Sequence, residues 1–310
     1  MTYVCPYLNR HVQEHDVTED HIVPLSLGGC NQLTVAVARE ANSRIGTEIE
    51  GALANEFFPA NHRIAADAQG HNRRSPTFKI KNASSSNHAG PVRVSLSPKQ
   101  IECFDPKQHK SLDRLSDISF DVKVQLDRFY QLRARFLAKV ALGICYYEFG
   151  QVFHIHAKHN DLRRVLWARA GSPVWCDPDL PITVDMPVTG EECRSHVSVS
   201  IRHISRSVGR RSCLAIVPAS GRLNVCVGIL GHYAGLIGFD CEVERLWKEP
   251  GNRYGIFFLI RDKLPIRMGL REAMERLLFV KHCADVWSPD TPNGLREFID
   301  SVRPAGWVDR

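Results

Sequence analysis

The sequence predicts an α+β fold: an N-terminal strand–turn–strand–helix unit, followed by a larger mixed domain built on an antiparallel sheet. Three observations predict it. Between Thr18 and Gly46, two β-prone runs flank a Gly28-Gly29 turn and then give way to a helical pattern. Residues 120–149 carry one long apolar stripe of helical period. From Ser172 to Asp240, short alternating or apolar runs are separated by Gly, Pro and Ser-Gly turns, as in antiparallel strands. At 310 residues and 44% hydrophobic content the chain has ample material for a core, and it divides into residues 1–60 and 61–310.

In chain order, Asp20 and His21 open an apolar run in which Ile22, Val23, Leu25 and Leu27 surround Pro24 and Ser26. A second β-prone run, Leu33 to Val37, follows the Gly28-Gly29 turn, and Asn42 arrives in the first turn of a helix. Glu48 to Phe58 extends that helix, with Ile49, Leu53 and Phe57 four residues apart, and Pro59 ends it. Thr77–Lys81 and Pro91–Leu96 read as a hairpin around the polar loop NASSSNHAG. The helix within 120–149 buries Leu126, Phe129, Leu132, Phe136, Leu137, Val140, Ile144 and Cys145, with Gly150 as its C-cap. Its Arg128, Arg133, Arg135 and Lys139 read as a solvated face. His154, His156 and His159 read as surface or capping histidines, and Asp161 to Ala170 as a helix. PITVDMPV, HVSVSIRHI, CLAIVPA, RLNVCVGIL and Tyr254–Ile260 are predicted strands; Arg271–Val286 and Asn293–Val302 are predicted helices.

The residue types of the first unit suit one chemistry. A phosphodiester repels nucleophiles and has a poor leaving group. One divalent ion stabilises both the crowded phosphate and the departing oxygen. Mg²⁺ prefers oxygen and keeps several waters, so a carboxylate (Asp20) and an amide (Asn42) suffice as protein ligands. His21 leaves the opposite face of the strand from Asp20, and a neutral imidazole can take a proton from the attacking water.

Asp20-His21, Ile22-Val23-Pro24, Gly28-Gly29 and Asn42-Ser43-Arg44-Ile45-Gly46 together resemble the HNH nucleases and their ββα-metal unit, over about the first 50 residues. The resemblance implies His21 as general base and Asp20 and Asn42 on the metal, with Asn31 bracing the loop or the His backbone. It implies one divalent cation, Mg²⁺ first with Mn²⁺ or Ni²⁺ as alternatives, double-stranded DNA as substrate, and a setting in phage defence or mobile elements. One such site cuts one strand, so double-strand cleavage implies a dimer. Many relatives add a zinc held by two CxxC pairs. Here Cys5 faces Leu8 in the first pair, and Ala38 and Ala41 occupy the second, so no structural zinc is expected.

Charge bears on the substrate. Residues 1–60 hold three basic and eight acidic residues, which leaves +11 of the net +6 chain to the remainder. DNA affinity therefore falls to later arginines and lysines. Arg44, Arg73, Arg74, Arg206, Arg210 and Arg211 are the candidate contacts, with residues 61–310 also a place for a partner protein or activator. Ten scattered cysteines, no apolar run of membrane length and no signal-peptide pattern predict a cytoplasmic, reduced protein. The competing function is an inactive ββα-fold protein that binds nucleic acid or regulates.

Overall fold

The computed structural model describes residues 2–112, 118–121, 124–186, 196–247, 254–261 and 264–282. The fold is α+β throughout. A hairpin of β1 (Thr2–Cys5) and β2 (Arg10–Gln13) precedes an antiparallel pair, β3 (Val17–His21) and β4 (Thr34–Ala38). In that pair Asp20 lies opposite Val35 and His21 opposite Thr34. β3 stops at His21, earlier than the apolar run suggests, because Pro24 has no N–H to give a ladder. Pro24 instead begins a 3-10 turn, Leu25–Leu27.

Helical backbone then runs through α1 (Arg39–Ile45), a wide π-type turn over Gly46–Gly51, and α2 (Ala52–Ala54). Pro59 does not end this helix. The break falls at Asn55-Glu56, and Pro59 sits in the first turn of α3 (Phe57–Ala66), where its missing N–H has no helical acceptor to lose.

Five strands follow: β5 (Phe78–Ser85), β6 (His88–Leu96), β7 (Ile101–Asp105), β8 (Lys110–Leu112) and β9 (Ile118–Phe120), in the order β8-β7-β6-β5-β9. The predicted hairpin is there, but the polar loop is mostly strand. Ala83 and Ser85 are small enough to fill the buried face, and only Ser86-Asn87 turn. This sheet has its own small core of Ile80, Ala83, Val92, Val94 and Cys103.

The long helix α4 (Leu126–Phe149) ends at Gly150, whose φ of 55° with ψ of −130° is a backbone conformation that glycine adopts without a Cβ to clash. It is followed by α5 (Gln151–His156) and α6 (His159–Leu166). Next come β10 (Ile182–Asp185), α7 (His196–Ser207), β11 (Ser212–Ala219), β12 (Arg222–Ile229) and β13 (His232–Asp240). The described chain closes with α8 (Val243–Leu246), β14 (Ile256–Arg261), β15 (Leu264–Gly269) and α9 (Leu270–His282). HVSVSIRHI is thus a helix, not a strand: Val197, Ile201, Ile204 and Val208 form one buried stripe while Val199 is exposed. Arg202 and Arg206 accordingly stand on α7 rather than between strands. The predicted helix over Asn293–Val302 lies outside the described residues.

The large sheet, ordered β10-β13-β12-β11-β14-β15, is antiparallel throughout and covered on both faces. Leu214 and Ile216 of β11, with Ile256 and Phe258 of β14, join α4 in one cluster. Cys213, Ala215, Val217, Phe257 and Leu259 point the other way into α7 and α9. Burial on both faces explains why these strands read as continuous apolar runs. The cluster containing α4 also takes in Ile22, Val23, Leu27, Ile45 and Ile49, so α4 lies between the N-terminal unit and the sheet. Residues 136–145 of α4 are buried on every side, including Lys139. No helix among the described residues is long and apolar enough to cross a membrane.

Candidate active site

β3 delivers Asp20 and His21 side by side at its C-terminal end, and pleating sends them to opposite faces. Asp20 turns inward and is buried. Its Oδ2 accepts the Tyr7 hydroxyl at 2.6 Å and lies 2.9 Å from Lys139 Nζ. That ammonium, fully buried in mid-α4, is also 2.7 Å from Glu50 Oε1 and donates to the Ile22 carbonyl at 3.1 Å and to the His21 carbonyl. Glu50 Oε1 receives no directed hydrogen bond, so its contact with Lys139 is an ion pair off the hydrogen-bond axis. One buried cation therefore binds two carboxylates and the backbone on which His21 rides.

The electrostatics follow from burial. Desolvation raises the Glu50 carboxyl, Lys139 opposes that, and Asp20 adds to it, for a net upward shift. Desolvation alone would lower Lys139, but Asp20 and Glu50 outweigh it, so its pKa is raised and it stays a cation. Burial and then Asp20 push the Tyr7 phenol well up, which keeps it a proton donor to that carboxylate.

His21 is half-buried on the other face. Its Nε2 is 3.0 Å from Asn31 Oδ1. With the amide oxygen as acceptor, Nε2 carries the proton and Nδ1 keeps the lone pair. The Gly28-Gly29 turn makes this pairing geometrically available. A Cβ at Gly29 would stand 1.7 Å from the Val23 carbonyl oxygen, and Gly28 has a φ of +80°, so the loop closes this tightly only with two glycines. Ser212 Oγ, at the start of β11, fastens the same loop by donating to the Leu27 carbonyl at 2.8 Å and accepting from Leu230 N–H at 3.0 Å. The His71 ring meets His21 edge-on with centroids 5.0 Å apart. On α1, Asn42 Nδ2 donates to the Glu19 carbonyl at 3.2 Å, which ties the helix to β3 and leaves Oδ1 as the acceptor end.

The structure thus pairs His21 with Asn31 and ties Asn42 to the strand that carries Asp20, whose carboxylate is buried on the opposite face from His21. His71 brings the exposed stretch carrying Arg73 and Arg74 beside His21. Arg210 and Arg211 are exposed in the turn just before Ser212, and Arg206 is exposed on α7. Arg44 is engaged elsewhere: its guanidinium sits 4.4 Å over the Trp167 ring and pairs with Glu48 at 3.1 Å.

The sequence reading missed Tyr7, Glu50, His71 and Lys139. The solvated-face reading of α4 is corrected for three of its four cations. Lys139 and Arg133 are buried and Arg135 nearly so; Arg133 donates to the Ala234 carbonyl at 2.6 Å, and only Arg128 is solvent-facing. An available signal was that Lys139 stands in a run apolar on every helix face, where a lysine has no route to water. Around HIHAKH, where α5 gives way to α6, the His154 and His159 rings stack at 4.7 Å and His156 pairs with Glu242 at 2.9 Å. Cys5 and Cys30 are buried free thiols in the core. Among the described residues no group of three His, Cys, Asp or Glu side chains could hold a metal ion.

Comparison of the chain with protein-family models, with curated proteins and with solved structures finds no match.

Proposed function

We propose that the chain is a metal-dependent endonuclease that hydrolyses DNA phosphodiesters at the end of β3. The observation that carries this reading is the His21–Asn31 pair: a half-buried imidazole held through Nε2, with its lone-pair nitrogen left to act as a base. Asn31 fixes the ring tautomer. The Lys139 contacts to the His21 and Ile22 carbonyls fix the backbone beneath it. Exposed Arg73 and Arg74 next to His71, and exposed Arg210 and Arg211 by the loop anchored on Ser212, would supply the phosphate contacts. Lys79, Lys81 and Arg93 add an exposed basic face on the five-stranded sheet.

The donor chemistry fits a hard divalent ion. Asp20 and Asn42 present oxygen from neighbouring elements, and such ions fill their remaining positions with water. Both contacts on Asp20 fall on Oδ2, so Oδ1 is the oxygen to offer. When bound there, the ion supplies charge stabilisation at the phosphate. Asp20 and Asn42 would hold it, and His21 would receive the proton of the attacking water.

A second reading is favoured by one observation: Lys139 and Tyr7 already balance Asp20, as in a ββα-fold protein that binds nucleic acid without cutting it. Supercoiled plasmid incubated with the purified chain and Mg²⁺, Mn²⁺ or EDTA separates the two. The endonuclease produces relaxed or linear DNA with the ions and none with EDTA. Retarded but uncut plasmid with every ion favours the binding protein.

A further inference from the structure

The structure holds a second site that the nuclease reading does not use. A pocket of about 160 Å³ lies between α3, α4, α7 and the β12–β13 turn. Its apolar walls are Leu53, Phe58, Phe129 and Phe136. On one side His62 and His232 stack face to face, with ring centroids 3.3 Å apart and planes within 1°. Arg202 and Arg206 line the same pocket, and Arg206 is exposed and forms no ion pair among the described residues.

We propose that this pocket binds an organic phosphate with a single flat ring system, of which a purine mononucleotide is the simplest case, and that its occupancy is felt at the His21 site. Three features select that class. Phenyl and imidazole faces favour a flat ring over a branched aliphatic one. The guanidinium of Arg206 offers a forked pair of donors that matches a phosphate's oxygens. The volume falls below the about 300–1,000 Å³ usual for drug-sized ligands, so one ring system enters and its charged group stays at the mouth. The imidazoles present neutral faces: burial, and then His232, holds His62 down at about 4, and burial followed by Arg206 lowers His232.

The link to the first site runs through two helical stretches. Leu53 in the pocket wall is three residues beyond Glu50, and Phe136 is three residues before Lys139. Residues at that spacing share a helix face. A ring wedged between Leu53 and Phe136 therefore presses on the two segments that carry the Glu50–Lys139 pair, and Lys139 holds the His21 carbonyl. Binding stands without the endonuclease reading, and the coupling rests only on this geometry.

The test is isothermal titration of the full chain with adenosine 5′-monophosphate, beside adenosine and inorganic phosphate, in wild type and Arg206→Glu, with circular dichroism to check folding. Saturable binding of the mononucleotide, weakened about tenfold or more by Arg206→Glu, is expected. Adenosine and phosphate alone should each bind far more weakly. Absence of mononucleotide binding, or binding unchanged in Arg206→Glu, overturns the site. Phosphate bound as tightly as the mononucleotide overturns the ring pocket. For the coupling, the His21 imidazole NMR signal, assigned with His21→Gln, should move on adding the mononucleotide to wild type and stay fixed in Arg206→Glu. A signal unmoved at saturation overturns it. None of these readouts depends on DNA cleavage, so a chain that cuts nothing still tests the pocket.

Discussion

Replacing Lys139 by Met should strongly destabilise the protein. Methionine keeps the unbranched stem and removes only the ammonium. Asp20 and Glu50 are then left as neighbouring carboxylates in the core, together with the Ile22 and His21 carbonyls that lose their donor. Removing one partner of a buried pair costs about 3–5 kcal/mol, because the remaining charge is uncompensated. One relief exists: Glu50 already has a raised pKa from burial, so the variant can take up a proton there. An acid whose folded-state pKa lies above its unfolded value loses stability as pH rises through the folded value. The deficit should therefore be near the full about 3–5 kcal/mol at pH 8 and smaller at pH 5. At about 2–4 °C per kcal/mol for a large domain, the pH 8 melting temperature falls by roughly 6–20 °C. Urea unfolding of wild type and Lys139→Met at both pH values measures this, and a cycle with Asp20→Asn should show coupling above about 1 kcal/mol. A deficit under about 1 kcal/mol at pH 8, or a larger one at pH 5, would refute the claim that one ammonium holds the site together.

Other consequences are more local. Asn31→Ala releases the His21 ring without removing it, so kcat should fall about tenfold with KM for plasmid nearly unchanged, less than the 10²–10⁴-fold or so at stake in a general base. Ser212→Ala leaves the Leu27 carbonyl and the Leu230 N–H without partners in a buried place, which should cost about 1–3 kcal/mol in urea unfolding. His62 and His159 are both lowered by burial to about 4 from the ordinary 6.5. The unfolded chain then binds more protons than the folded one between those values, so stability is full above pH 6.5 and drains as pH falls towards 4. Denaturation curves across that window should show a slope that shrinks in His62→Phe and in His159→Phe; a slope unaffected by both substitutions would contradict the assignment.

How much of this was legible in the residues depended on whether a pattern was local. The Gly28-Gly29 turn and the helix that brings Asn42 are short-range features, and each appears close to where its residues placed it. The strand expected to open at Asp20-His21 instead ends there, because the apolar run beyond it turns at Pro24. The stripe of α4 was equally plain, and its end at Gly150 follows from that glycine's backbone freedom. HVSVSIRHI failed because Val197, Val199 and Ile201 alternate like a strand over five residues. The deciding positions, Ile204 and Val208, come later, and Ser198 and Ser205 are buried without looking apolar. NASSSNHAG failed for the converse reason, since small polar side chains fill a tight sheet face as readily as a loop. The site itself was half visible. His21, Asn31, Asp20 and Asn42 lie within one short stretch, whereas Lys139 reaches Asp20 from 119 residues away. Its partners could be known only after α4 was seen inside the core. The buried side chains around it (Ile22, Ile45, Ile49) contribute about 1.5–3 kcal/mol each, which is what holds a charge cluster in so dry a place.

The most direct test of the account is the rate at which wild type and His21→Ala relax supercoiled plasmid in the same Mg²⁺ or Mn²⁺ buffer. The reading of His21 as the base predicts metal-dependent product from wild type and a loss of at least about 100-fold in the variant, with its fold and DNA binding retained. Equal cleavage by the two proteins would contradict it.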